Sequence, residues 1–154
     1  MSSTKTIGYQ RLWFMVLMRA WGLKGKIMHI LKSWLMDVEY KVIPYDELVE
    51  LVYEFIHWLH EKNLHYIKEY FDCDDFATAF KSFMAVNGYN VGVAIGELHH
   101  HEYGFLGYHA WNIAVTDYMG QEKLVFIEPQ TGDIFFTNIS RIDKFIYRLL
   151  AVIW

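Results

Sequence analysis

The sequence predicts one α+β domain, because helical patterns come first along the chain and strand patterns follow them. The chain has 154 residues, 54% of them hydrophobic, which is enough for one well-buried core and too little for two ordinary domains. Two prolines and ten glycines, with no low-complexity tract, leave little room for a flexible linker. We therefore expect residues 1–154 to form a single domain that includes a basic helical leader at residues 1–36.

Three helices are predicted in the first 60 residues. Residues 9–21 and 25–36 have helical patterns and are separated by glycines. A third helix begins after Pro44 and extends to about His60, because its apolar side chains recur at helical spacing and acidic residues occupy its first turn. It is the most regular pattern in the chain.

The second half of the chain begins with a helix and continues with strands. The helix is predicted over residues 74–86, which places Cys73 at its start and ends it at Asn87-Gly88. Beyond it the apolar period shortens to that of strands. The predicted strands cover residues 89–96, 108–117, 123–127 and 133–137, and a final helix is predicted over residues 140–151.

Charge is distributed unevenly. Residues 1–36 carry six Lys or Arg and no acidic residue, whereas the remainder carries eight against eighteen. A basic leader rich in aromatic residues could lie on an anionic membrane, contact a protein partner, or dock on the acidic body of its own chain. Nucleic acid is a weaker candidate, because the body is acidic and has no recognition motif.

No membrane-spanning helix or signal peptide is predicted. The apolar run at residues 12–18 has seven residues, well short of the ~20 that a span needs. The single cysteine cannot form an internal disulfide, which favours a reducing compartment. The expected location is therefore cytoplasmic, with peripheral membrane association left open.

Cys73 is a candidate nucleophile because of its position. A thiol at a helix N-terminus faces unpaired backbone N–H groups and the positive end of the helix dipole, which favour its anionic form. Asp72, Asp74 and Asp75 oppose this effect, since each disfavours a second negative charge. Asp72 can serve instead as the helix N-cap. The alternative interpretation is that Cys73 is a small buried hydrophobic residue.

Three segments, FDCDDFATAF, GYHAWNIAV and VFIEPQTG, resemble the successive motifs of the transglutaminase-like branch of the papain-fold cysteine enzymes. The resemblance covers residues 69–134. It implies that Cys73 is the nucleophile, that His109 is the general base, and that Glu128 orients the imidazole where the family usually has Asp. Asn112 is a competing orienting group, but three residues along a strand from His109 it would face the opposite side.

This resemblance also implies a fold and an activity. The fold would be papain/transglutaminase-like, with N-terminal helices, a Cys-bearing helix packed on an antiparallel sheet, and a C-terminal helix. The activity would be that of a thiol-dependent amide hydrolase or acyltransferase, such as a cysteine protease, acting through an acyl-enzyme on a peptide or protein amide. No cofactor is implied. The alternative is a non-catalytic interaction module that retains the fold and binds a partner or membrane surface through residues 1–36.

An acyl-transfer site also needs donors for the developing oxyanion. The backbone N–H of Cys73 is one candidate, and Tyr66, Tyr70 and Asn63 are the available side chains before it. Trp111 is expected either in the core or in the wall of the cleft.

The remaining histidines suggest a metal site only weakly. His57 and His60 lie at i,i+3 on one helix, with Glu61 adjacent and His65 farther on, but the order differs from that of zinc peptidases. The run 99–101 is expected in a loop between strands, where it could rim the cleft. We predict no metal site.

Overall fold

The computed structural model describes residues 5–34, 37, 39–140, 142 and 144–154. In chain order the elements are β1 (Thr6–Gly8), α1 (Tyr9–Arg19), α2 (Gly22–Lys32), β2 (Glu39–Lys41), β3 (Ile43–Pro44), α3 (Tyr45–Glu61), α4 (Cys73–Val86), β4 (Gly92–His100), β5 (Gly104–Tyr118), β6 (Gln121–Glu128), β7 (Asp133–Phe135) and β8 (Phe145–Ile153).

The main sheet has six strands. Five are antiparallel neighbours in the order β7-β6-β5-β4-β8, and the short β3 pairs in parallel with β5. β1 and β2 form a separate antiparallel pair. Side chains alternate between the two faces of a strand, and each face of this sheet has its own buried cluster, one packed with α1 and the other with α3 and α4.

Helices α3 and α4 confirm the helical patterns in the sequence. α3 buries Leu48, Val52 and Phe55 against the sheet. α4 begins at Cys73, and Asp72 and Asp75 form a capping box at its start, in which the backbone N–H of Asp72 donates to Asp75 Oδ2 at 3.2 Å.

The leader packs on the body of the chain. Leu12 and Val16 of α1 are completely buried, and burial of such side chains contributes about 1.5–3 kcal/mol each. Lys5 Nζ lies 2.8 Å from Asp117 Oδ2, and Arg11 Nη1 lies 2.6 Å from Glu122 Oε2. In the structure the basic leader therefore docks on the acidic body of its own chain. Among the described residues, no helix has the length and apolarity required to cross a membrane.

The predicted C-terminal helix is wrong. Residues 145–153 form β8, which pairs along almost its whole length with β4. Leu149, Leu150 and Ala151 favour helix intrinsically. The strand instead buries Tyr147, Leu149 and Val152 in the core cluster that also contains α1, and this tertiary gain outweighs local propensity.

The histidine run also differs from expectation. His99 and His100 lie on β4 rather than in a loop, and only His101 is in the turn that follows. His99 is mostly buried, and its Nε2 lies 3.1 Å from Glu97 Oε2.

Candidate functional site

A buried polar cluster joins side chains from β5, β6 and β8. His109 Nε2 on β5 is 2.7 Å from Glu128 Oε2 at the end of β6. The hydroxyl of Tyr147 on β8 donates to the same carboxylate oxygen at 3.0 Å. The backbone N–H of Gln130 donates to Glu128 Oε1 at 3.2 Å. Glu128 is only 5% exposed, so these three donors replace the water that a carboxylate would otherwise bind.

Cys73 completes the cluster from the start of α4. Its side chain is hydrogen-bonded to His109 and is partly buried. Burial lowers the pKa of His109, but its hydrogen bonds to Cys73 and Glu128, and attraction from the Glu128 carboxylate, raise that pKa to about 9. At neutral pH the ring is therefore an imidazolium held between a sulfur atom and a carboxylate.

Acidic residues surround the thiol on the solvent side. Ligand atoms of Asp72, Cys73 and Asp74 all lie within 4.8 Å of one another and could contact a cation. The hydrogen bond between the Asp72 and Asp74 side chains lowers the pKa of Asp72 and raises the pKa of Asp74. Exposed acidic groups commonly cluster in this way without a metal ion.

The cluster opens onto a narrow cleft. A cavity of about 170 Å³ is bounded by Leu98, His109, Glu128, Gln130, Thr131, Asp133, Ser140, Phe145 and Tyr147. A second cavity of about 310 Å³ shares Gln130 and Thr131 with the first and extends to Tyr66 and His65.

The side chains expected near an oxyanion lie in different environments. Tyr66 borders the second cavity and is 53% exposed, whereas Tyr70 is 83% exposed. Asn63 has a positive φ of 53° just after α3, which Asn tolerates well. Trp111 is fully buried in the core. The centroid of its ring lies 6.2 Å from that of the His109 ring, and the two rings are nearly parallel, so Trp111 packs against the imidazole from the core side.

Asn112 has a different task from that of Glu128. Its side-chain amide donates to the carbonyls of Ala77 at 2.9 Å and Gly92 at 3.2 Å. It therefore ties α4 to the sheet on the face opposite His109, as strand alternation requires.

Sequence reasoning missed Tyr147 and Gln130. Tyr147 was missed because residues 140–151 were predicted to be helical, whereas in the strand its hydroxyl points at Glu128. Gln130 follows Pro129 in the third motif, and the turn there brings its N–H back to the carboxylate. His57 on α3 pairs instead with an acidic residue of its own helix, its Nδ1 lying 3.6 Å from Glu61 Oε1.

A larger concave surface lies on the leader side of the sheet, and we call it the leader pocket. Its volume is about 710 Å³, and it lies between α1, the start of α2, β6 and the segment after β7. It is lined by Phe14, Met15, Met18, Arg19, Ala20, Trp21, Gly22, Glu122, Lys123, Leu124, Phe136 and Asn138.

Comparison with known proteins identifies relatives of a different kind from those expected. Residues 23–147 match the family model of the ricin-type beta-trefoil lectin C-terminal domain. No curated protein matches the sequence.

Two solved structures have a similar fold. The PSL1a–E64 complex matches with a TM-score of 0.68 and 22% identity over 97% of this chain and 51% of the other. The Polyporus squamosus lectin, bound to the human-type influenza-binding epitope Neu5Acα2-6Galβ1-4GlcNAc, matches with a TM-score of 0.65 and 22% identity over 97% and 49%. The chain thus spans about half the length of the solved structures it matches.

These findings correct several expectations. The transglutaminase-like assignment is wrong, and the papain/transglutaminase-like fold class gives way to the fold of the matching lectin structures. The expected cysteine hydrolase or acyltransferase, with its peptide or protein amide substrate, is replaced because the matching family is one of lectins. The family match spans most of the chain, from α2 to β8, so the chain belongs to the ricin-type beta-trefoil lectin C-terminal domain family.

Proposed function

We propose that this chain is a lectin-type module that binds an acidic carbohydrate through the leader pocket. The observation that carries the proposal is the positive charge of a large, aromatic-lined cavity in a chain of a lectin family. The alternative of an interaction module that works through residues 1–36 leads in the same direction, because the leader supplies seven of the twelve residues that line the pocket.

The size and lining of the leader pocket suit an oligosaccharide. Ligand-binding cavities typically measure ~300–1,000 Å³ and combine apolar walls with a few polar groups. Trp21 is 41% exposed and Phe14 is 57% exposed, which leaves aromatic surface for the C–H faces of sugar rings. The Arg148 guanidinium lies 4.7 Å from the centroid of the Trp21 ring and holds the indole in place.

The charges in the pocket favour an anionic ligand. Arg19 uses Nη1 to donate to the carbonyl of Phe136 at 2.5 Å, and its guanidinium has further donors. The Lys123 ammonium lies 5.8 Å from the centroid of the Phe136 ring. Glu122 is the one acidic residue in the wall, and Arg11 and Lys5 neutralise it from outside the pocket. Arg19 and Lys123 thus leave the pocket wall with positive charge that the carboxylate of a sialic acid could pair with.

Binding of Neu5Acα2-6Galβ1-4GlcNAc and of the same glycan without sialic acid tests the proposal by calorimetry. Trp21→Ala should weaken both affinities about tenfold or more, whereas Lys123→Gln should weaken only that for the acidic glycan. Trp34→Ala is the matched control, since Trp34 is an exposed tryptophan outside the pocket. The proposal fails if the unmodified protein binds neither glycan, or if Trp21→Ala and Trp34→Ala behave alike.

A second candidate concerns the polar cluster. We propose that Cys73, His109 and Glu128 form one reactive-thiol site, which the hydrogen bonds on both sides of His109 support. An imidazolium beside a thiol favours the thiolate, which is the form that attacks electrophiles. Tyr66 at the border of the adjoining cavity is the side chain best placed to meet a bound molecule. A partly exposed free thiol of this kind also supports a reducing, cytoplasmic location.

The rate of iodoacetamide alkylation at Cys73 tests the second candidate. We expect a rate above that of free cysteine at neutral pH, and a fall to that level in His109→Ala. His101→Ala removes an exposed histidine from the turn after β4 and should leave the rate unchanged. Equal rates in the unmodified protein and His109→Ala would exclude an activated pair.

A further inference from the structure

Helix α2 is oriented by its inner face. Gly25 and His29 are its buried residues, and a Cβ atom at Gly25 would lie 2.7 Å from the carbonyl oxygen of Leu149 on β8. His29 Nδ1 lies 2.5 Å from Ser33 Oγ, and that hydroxyl oxygen accepts from the Val152 N–H of β8 at 2.8 Å. These contacts determine which face of α2 packs against β8.

The opposite face of α2 is apolar and exposed. It carries Leu23, Ile27, Ile30 and Leu31, which we call the α2 stripe, with exposed fractions of 76, 47, 57 and 69%. At ~100° per residue these four positions fall within one arc of about 100°, centred opposite Gly25 and His29. A surface helix normally directs its apolar stripe at the core, whereas α2 directs one at the solvent.

Lysines flank the α2 stripe. Lys26 lies on one side of the arc and Lys24 on the other, and Lys32 follows at the end of the helix. Lys24 pairs with Glu97 at 2.5 Å, while Lys26 and Lys32 form no ion pair with the described residues. Trp34, just beyond the helix, is 72% exposed although its backbone is bonded to β8.

We infer that the α2 stripe docks on the surface of an anionic phospholipid bilayer. Apolar side chains flanked by lysines, with an adjacent tryptophan, are the composition with which a helix lies in the membrane interface. Insertion of the stripe removes apolar surface from water, and the lysines meet lipid phosphates and carboxylates. The surface is distinct from the leader pocket and does not depend on glycan binding.

A second copy of the chain fits this face less well. An 11-residue helix is about 16 Å long and 10 Å wide, several times smaller than the ~800 Å² that each partner buries in a standard interface. Residues 1–36 contain no acidic residue, so two copies packed through α2 would bring lysines against lysines.

Co-sedimentation with phosphatidylcholine vesicles, with and without phosphatidylserine, tests the inference on the full chain. We expect binding to the anionic vesicles, about tenfold or more weaker in the double variant Ile27→Gln/Leu31→Gln. Lys26→Gln/Lys32→Gln should reduce the preference for phosphatidylserine. Val86→Gln is the control, because Val86 is an 85% exposed apolar residue at the end of α4.

Three outcomes would overturn the inference. The first is no binding of the unmodified protein to either vesicle, and the second is equal binding by the stripe variant and Val86→Gln. The third is a dimer in analytical ultracentrifugation that the stripe variant dissociates, which would assign the face to a second copy. All of the substituted side chains are exposed, so thermal unfolding should confirm that each variant is folded. The vesicles contain no carbohydrate, and failure here is therefore independent of the glycan proposal.

Discussion

Tyr147 and His109 contact the same oxygen of Glu128, at 3.0 and 2.7 Å. The two residues come from strands that are not neighbours in the sheet, since β4 lies between β5 and β8. Glu128 reaches across from the end of β6 to accept from both. The position of the carboxylate is therefore set by three strands together.

Replacement of Tyr147 by Phe removes one of these donors without changing the shape of the ring. We expect a loss of about 1–3 kcal/mol in the free energy of unfolding, because a buried carboxylate is left with one partner fewer. Urea denaturation measures it. Tyr103→Phe is the matched control, since Tyr103 is 76% exposed, and an equal loss in both variants would contradict the prediction.

The raised pKa of His109 makes stability depend on pH. Its pKa is about 9 in the folded chain and about 6.5 in an unfolded one. The folded state thus binds the proton more tightly, and this contribution is complete below about pH 6.5 and is lost as pH rises through 9. Its size is of order 3 kcal/mol.

Urea denaturation at a series of pH values checks this dependence. The unmodified protein should lose stability between pH 6.5 and 9, and His109→Gln should lose much less over the same interval. Identical profiles would assign the pH dependence to other groups.

Gly25 permits the close contact between α2 and β8. In Gly25→Ala the added methyl group would lie 2.7 Å from the Leu149 carbonyl oxygen, and such overpacking costs about 1–3 kcal/mol. Gly8→Ala is a suitable control, because nothing lies within 4 Å of a Cβ atom there. The melting temperature should fall clearly in the first variant and change little in the second. Equal melting temperatures for the two variants would show that the contact between α2 and β8 at Gly25 is less rigid than the structure indicates.

Deletion of residues 1–36 removes α1, α2 and the side chains of Leu12 and Val16 from the core. We expect the remaining chain not to fold, since one face of the sheet would lose its cover, and residues 1–154 to behave as one folding unit. Far-UV circular dichroism and proteolysis measure this. A protease-resistant, cooperatively unfolding product would show that the leader is an accessory.

The helices could be predicted because their signals are local. The apolar spacing of α3 and the acidic cap before Cys73 each act within a few residues. His109 and Glu128 lie just beyond Asn112 and Ile127, the last paired residues of the adjacent strands β5 and β6. β8 depends instead on pairing with β4 about fifty residues away. Nothing in the sequence of β8 itself identifies β4 as its partner, so the hydrogen bond from Tyr147 to Glu128 could not be predicted either.

The family assignment failed for a related reason. Three short motifs around Cys73, His109 and Glu128 describe a local arrangement of side chains, and side-chain arrangements recur in unrelated proteins. The leader pocket was missed because Trp21 and Lys123 are about a hundred residues apart in the sequence. Only the packing of α1 and α2 on the sheet brings them to one cavity.

The bond from the Val152 N–H to Ser33 Oγ joins residues 119 positions apart, and it has a kinetic consequence. Closing so large a loop is entropically slow, so the first two helices should find their place only after β4 and β8 have paired. Until then the α2 stripe and the side chains of α1 that become buried in the core are exposed to solvent at the same time. This interval is when the chain is most prone to aggregate, and a chaperone that recognises apolar helices would act on it then.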